Sequence, residues 1–178
     1  HFGAALDLAG NTLSNSLSVA GDGISSNGAI YNSSSVSAQI AGPVTLTADA
    51  AIKSTSGGDL TISGDVDGAF ALTLVTDGAS LDADLFLDGT LGGTTAMTDL
   101  VISSGSADVQ VNGAVELSGA LTVDANALSV DAAITSTGAQ TFTVSSLTDG
   151  GSASVTSGDK ISFAGVGALS VGGSGADW

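Results

Sequence analysis

Carboxylates are the only reactive side chains this sequence supplies in quantity: 17 of its 18 acidic residues are Asp, and Glu116 is the exception. Asp82 and Asp84, like Asp65 and Asp67, lie two apart, a spacing that sends both side chains to one face of an extended strand. Such a pair is the minimum for acid and base work on a glycosidic bond. That chemistry also needs one carboxyl raised in pKa by desolvation, and a solvated strand surface gives little of it. The plainer reading is a solvated acidic face. Oxygen-rich clusters of this kind also suit Ca²⁺, which takes carboxylates together with turn carbonyls. Asp77, Asp82, Asp84 and Asp88 form the densest group, and Ca²⁺ bound weakly there is the one cofactor the sequence suggests.

Other chemistry is poorly supplied. Nucleophilic catalysis by Ser or Thr needs a base beside it, and the single His is His1. Cysteine is absent, so thiolate metal sites and disulfides are excluded. Gly172 to Asp177 matches the first six positions of the calcium nonapeptide repeat, but that motif works in tandem and occurs once here, so chance explains it. Thr-x-Thr, the unit of ice-binding ladders, occurs at Thr45 and Thr47 and at Thr141 and Thr143, too rarely to line every coil. The chain is read as a non-enzyme.

Charge narrows the partners. The formal charge is −16, with Lys53 and Lys160 the only cations, so nothing is available to neutralise phosphates. Nucleic acid and anionic membrane surfaces are excluded as partners. No apolar run approaches the roughly 18 residues of a membrane-spanning helix. The chain opens at His1 without Met, which suggests a processed or excised segment.

The elements that must position these side chains are short strands. Apolar pairs two apart recur along the chain, among them Leu17 and Val19, Leu60 and Ile62, Leu72 and Leu74, Leu85 and Leu87, Leu100 and Ile102, Val109 and Val111, and Leu128 and Val130. That period places apolar side chains on one face and Ser, Thr or Asp on the other. Between them lie Gly and Asp clusters such as Gly21-Asp22-Gly23, Ser56-Gly57-Gly58-Asp59 and Asp88-Gly89, read as corners where positive φ is needed. An internal repeat aligns Val66 to Thr73 with Leu91 to Thr98 at an offset of 25, while Leu121 to Phe142 gives 21 and Leu46 to Leu72 gives 26. Imperfect units of about 20–26 residues that bury nothing alone indicate a solenoid. The expectation is an all-β, right-handed parallel β-helix over residues 1–178, with roughly eight coils and a length of about 40 Å. With one Trp and one Tyr, the chain lacks the aromatic anchors of antiparallel sandwiches. Within this scheme Leu85 and Leu87 point inward and leave Phe86 outward among Asp82, Asp84 and Asp88, either as a contact point for a partner or under a neighbouring loop.

Several stretches resemble repeats of autotransporter passengers and filamentous-haemagglutinin-like adhesins: Asn11-Thr12-Leu13, Gly28 to Asn32, Gly42 to Ile52, and Gly58 to Gly64. Together with the Val66 and Leu91 copies, the resemblance covers about residues 6 to 135 and continues more weakly to 171. It implies a secreted or cell-surface bacterial β-helix serving as stalk, adhesin or fibre. Expected partners are further copies stacked end to end or neighbouring repeats, and a host or matrix polymer. Some parallel β-helices degrade pectin, which leaves a carbohydrate-active or carbohydrate-binding β-helix as the alternative; lyases of that shape recruit Arg or Lys beside calcium, and Arg is absent.

Overall fold

A strand of three to five alternating residues has one apolar side and no core of its own, so it is stable only when other strands cover it. This chain solves the problem by coiling. The structure, a computed structural model, describes residues 3–76, 83–150, 153–165 and 168–170. It is a β-solenoid of about seven turns, with 54% of its residues in strands. Every strand pairing among the described residues is parallel. Seven turns rather than eight follow because coils vary in length; at about 4.8 Å per step the body is about 34 Å long.

Three faces run along the solenoid. The first stacks Leu6–Asp7, Ile30–Asn32, the end of Val44–Ser54, Leu72–Thr76, Leu100–Ser103, the starts of Leu121–Val130 and Gln140–Asp149, and Ile161–Ala164. The second stacks Thr12–Leu13, Ala38–Ile40, Leu60–Ile62, Leu85–Leu87, Val109–Val111, the ends of the same two long strands, and Ala168–Ser170. The third runs from Leu17–Gly21 through the start of Val44–Ser54, Val66–Asp67, a bridge at Leu91, Val115–Leu117 and Ala133–Ser136 to Ser154–Ser157. The longest strands bend round corners and so belong to two faces.

The core consists of vertical columns of aliphatic residues. Ile40, Ile62, Leu87, Val111 and Val130 stack in register on the second face, all buried. The coil is narrow enough that these columns fill the interior, which explains why the sequence manages with few aromatics. Near the C-terminal end the columns turn polar: Gln140 follows Leu121, and Asp149 follows Val130. The Gln140 Nε2 donates to Ser136 Oγ at 3.1 Å and to the Thr156 carbonyl at 2.8 Å. Where the first face turns into the second, buried Asn32 takes over the departing backbone. Its Oδ1 accepts the Gly10 amide at 2.9 Å and its Nδ2 donates to the Val36 carbonyl at 2.9 Å.

The 25-residue repeat holds at one point and slips at the next. Val66 and Leu91 do bridge in register. Leu72, however, pairs with Leu100 rather than Met97, and Met97 pairs with Leu117. Three extra residues enter at the corner spanning 92–99, where the Asp67 Oδ1 accepts the amides of Thr94 and Thr95 at 2.8 and 3.2 Å. Likewise Leu121 pairs with Gln140 and not with Phe142, and Leu72 with Ala50 and not with Leu46. Coil length therefore runs from 19 residues, Val123 to Phe142, through 28, Leu74 to Ile102, to 29 at the irregular pairing of Gly21 with Ala50.

Corner glycines have two separate causes. Gly21, Gly23 and Gly57 adopt positive φ of 83°, 74° and 81°, as expected. Gly42, Gly64, Gly89 and Gly113 do not, and they stack in one column between the second and third faces. A Cβ on Gly64 would run into the Gly42 carbonyl, one on Gly89 into the Gly64 carbonyl, and one on Gly113 into the Gly89 carbonyl. Here successive coils approach too closely for any side chain. Substituting Gly89→Ala is expected to cost about 2–3 kcal/mol, as overpacking does, whereas Gly105→Ala, with a φ of 55° but open space around it, is expected to cost about 1 kcal/mol. Urea unfolding of both variants checks this, and equal losses would contradict the close-approach account.

Candidate functional site

The carboxylates have a common task. At the start of three second-face strands, Leu85–Leu87, Val109–Val111 and the second half of Leu121–Val130, a backbone amide lacks the carbonyl that would extend the ladder, because the coil beneath has already turned. An Asp in that lower coil supplies the acceptor instead. The Asp59 Oδ1 accepts the Asp84 amide at 3.1 Å, and the Asp84 Oδ1 accepts the Asp108 amide at 3.0 Å. In turn the Asp108 Oδ1 accepts the Ala127 amide at 3.1 Å and the Asn126 Nδ2 at 2.9 Å. The same device recurs at other corners, from Ala71 to Asp49 at 3.0 Å, from Thr90 to Asp65 at 2.9 Å and from Ala120 to Asp99 at 2.7 Å. This is the solenoid counterpart of a helix N-cap. It accounts for Asp over Glu, since the shorter side chain reaches the next coil without a further methylene to order.

These contacts locate the candidate residues. Asp77 and Asp82 lie outside the described residues. Asp84 is half-buried and holds the Asp108 amide, while exposed Asp88 accepts the Asn112 Nδ2 at 2.7 Å. Asp84 and Asp88 thus share the outward face of one strand with Phe86 between them, as the parity of Leu85 and Leu87 requires. Among the described residues no group of three or more His, Cys, Asp or Glu is arranged to hold a metal ion. Asp65 and Asp67, the other pair two apart, bind amides of the coil above through their Oδ1 atoms.

Phe86 sits mid-way along a straight outward column in which Thr12, Gln39, Thr61, Phe86, Gln110, Ser129 and Thr148 follow one another at single-coil steps. Half-buried Phe86 is flanked directly by Thr61 and Gln110. This uncharged stripe, bordered by Asp59, Asp84 and Asp108 on one side and by Asp88 and Asn112 on the other, was not anticipated. Its signal was present as Asp residues recurring 25 and 24 positions apart. The Thr-x-Thr pairs at Thr45 and Thr141 belong to different faces, the third and the first, and a further pair at Thr135 and Thr137 reaches the third face where Asp67 follows Thr45 and Glu116 precedes Thr135, so they build no common ladder.

Asp7 has a displaced pKa. The Ser33 hydroxyl, donating to the Asp7 Oδ2 at 2.6 Å, holds that carboxyl below its ordinary range. A carboxyl depressed in the folded state adds stability above its ordinary pKa, and that stability is lost as pH falls through the lowered value.

No protein-family model, curated protein or solved structure matches this chain.

Asp84→Ala is expected to lower stability by about 1–2 kcal/mol, the worth of a hydrogen bond to a charged group at a partly exposed site. Denaturant unfolding should give the same loss in chelator and in millimolar Ca²⁺. A loss seen only with Ca²⁺ present would assign the carboxylate to metal binding instead.

Proposed function

We propose that this chain is a structural and adhesive segment of a secreted bacterial surface protein, a stiff solenoid section that holds an uncharged, hydrogen-bonding stripe away from the cell. The observation that carries the reading is the use of the carboxylates: those at the corners accept inter-coil hydrogen bonds, so the chain's main charged groups maintain the rod. The likeness of its strand grammar to autotransporter and haemagglutinin-like repeats supports a cell-surface setting. A charge of −16 supports solubility and directs contacts toward neutral or basic polymers.

A second reading has one observation in its favour. Phe86 offers an aromatic surface with Thr61 and Gln110 beside it and Asp84 and Asp88 along its strand, and sugar rings pack on aromatic faces while their hydroxyls bond to amides and carboxylates. That arrangement fits a carbohydrate-binding β-helix, and binding to a polysaccharide is itself one form of adhesion.

Beads coated with the purified chain are expected to attach to polysaccharide or matrix-polymer surfaces at least five-fold above uncoated beads, and Phe86→Ser is expected to reduce attachment without changing the unfolding midpoint. Release of reducing ends from a polysaccharide panel, abolished by Asp84→Asn, would replace this reading with an enzymatic one.

A further inference from the structure

The outward side of the first face differs from the rest of this acidic surface. One of its columns runs Lys53, Val75, Ser103 and Asp124 at single-coil steps, and the column beside it runs Thr73, Val101 and Thr122. Both lie in the middle of the rod, between described coils, and they open sideways, so further coils stacked on either end would leave them uncovered. Of the exposed large apolar residues among those described, only Val101, at 37%, lies on a strand away from both ends. Half-buried Val75 is its diagonal neighbour. Lys53 and Asp124 are the charged members of the two columns, and among the described residues neither has an ion-pair partner.

The arrangement is self-complementary. Lys53 and Asp124 stand on one column, each one and a half coil steps from the midpoint between Val75 and Ser103. A two-fold axis through that midpoint, parallel to the strands, turns a second copy end for end and lays the column against itself. Lys53 then faces Asp124 of the other copy, and Asp124 faces its Lys53. Val75 and Val101 of both copies meet around the axis. The residues just before these strands agree with this register, since Asp49 falls opposite Ala120 and Asp99 opposite Ala71. A relative shift of one coil loses both ion pairs and sets Asp99 against Asp49 or Asp99 of the other copy.

We infer that two copies of this chain pair side by side and antiparallel through the first face, in the register that joins Lys53 to Asp124 twice around four valines. A second copy fits better than another partner because the cation and the anion are placed symmetrically about an apolar centre, which the same column reversed matches residue for residue. Each copy carries −16, but at physiological salt charges beyond about 8 Å are screened, so the near-neutral face decides. From Tyr31 to Thr143 the face spans six coils. At about 4.8 Å per coil and about 13 Å of strand, the contact covers roughly 400 Å² per copy, the size of a weak, transient interface. The inference rests on the reading of the chain as a rod segment.

Charge reversal separates this pairing from general repulsion. Asp124→Lys makes the chain less acidic, which by net charge alone would strengthen association. The pairing instead predicts association weakened by about five-fold or more in sedimentation equilibrium, because two lysines then face each other at both sites. Lys53→Asp is expected to weaken it similarly, with the unfolding midpoint unchanged in both variants. An equimolar mixture of the two variants is expected to recover wild-type association, since each altered residue then meets its opposite charge on the other copy. Unchanged association in either single variant, or a mixture that associates no better than its components, would overturn the pairing. Wild-type protein that remains monomeric at all concentrations, with solution scattering still matching a β-rod, would defeat the pairing alone; scattering incompatible with a rod would defeat the underlying reading too.

Discussion

The inter-coil hydrogen-bond ladder, one step of about 4.8 Å per turn, is the constraint on which the rest of this structure depends. Every coil must lie flat on its neighbour along three faces, so anything that widens a corner separates two strands at once. The stacked glycines Gly42, Gly64, Gly89 and Gly113 meet that demand by removing the side chain where carbonyls approach most closely. The Asp59, Asp84 and Asp108 series meets it differently, by giving acceptors to amides that the turning backbone leaves behind. Stacked carboxylates repel one another, and the amides they accept offset part of that cost.

Strand parity was legible in the sequence because it is a local property. Leu60 and Ile62, Leu85 and Leu87, and Val109 and Val111 all face inward, and Phe86 faces outward, as their alternation indicates. Coil length was not legible, because corners add or drop residues without disturbing the parity of the next strand. Thus Val66 found Leu91, while Leu72 skipped past Met97 to Leu100. The stacking of Asp and Gly was hidden for the same reason, since it appears only once each coil is placed in register. Nor could parity anticipate Gln140 in a column of leucines, which depends on Ser136 and Thr156 in neighbouring strands.

This division bears on function. Inward positions are fixed by packing, and corner carboxylates are fixed by the ladder, which leaves the outward columns as the surface able to vary without loss of the fold. The Thr12 to Thr148 stripe is such a column, with one outward residue at each coil step. Rigidity and presentation thus arise from one feature, the uniform step between coils.

That uniform step is also the most direct thing to measure. Spin labels on the outward residues Gln39 and Thr148 stand five inter-strand steps apart on one face, so their attachment points are predicted to lie about 24 Å apart. Double electron-electron resonance should give a single narrow distribution near that distance. A broad distribution, or a centre displaced by more than about 10 Å after allowance for label length, would contradict the stacked-coil account.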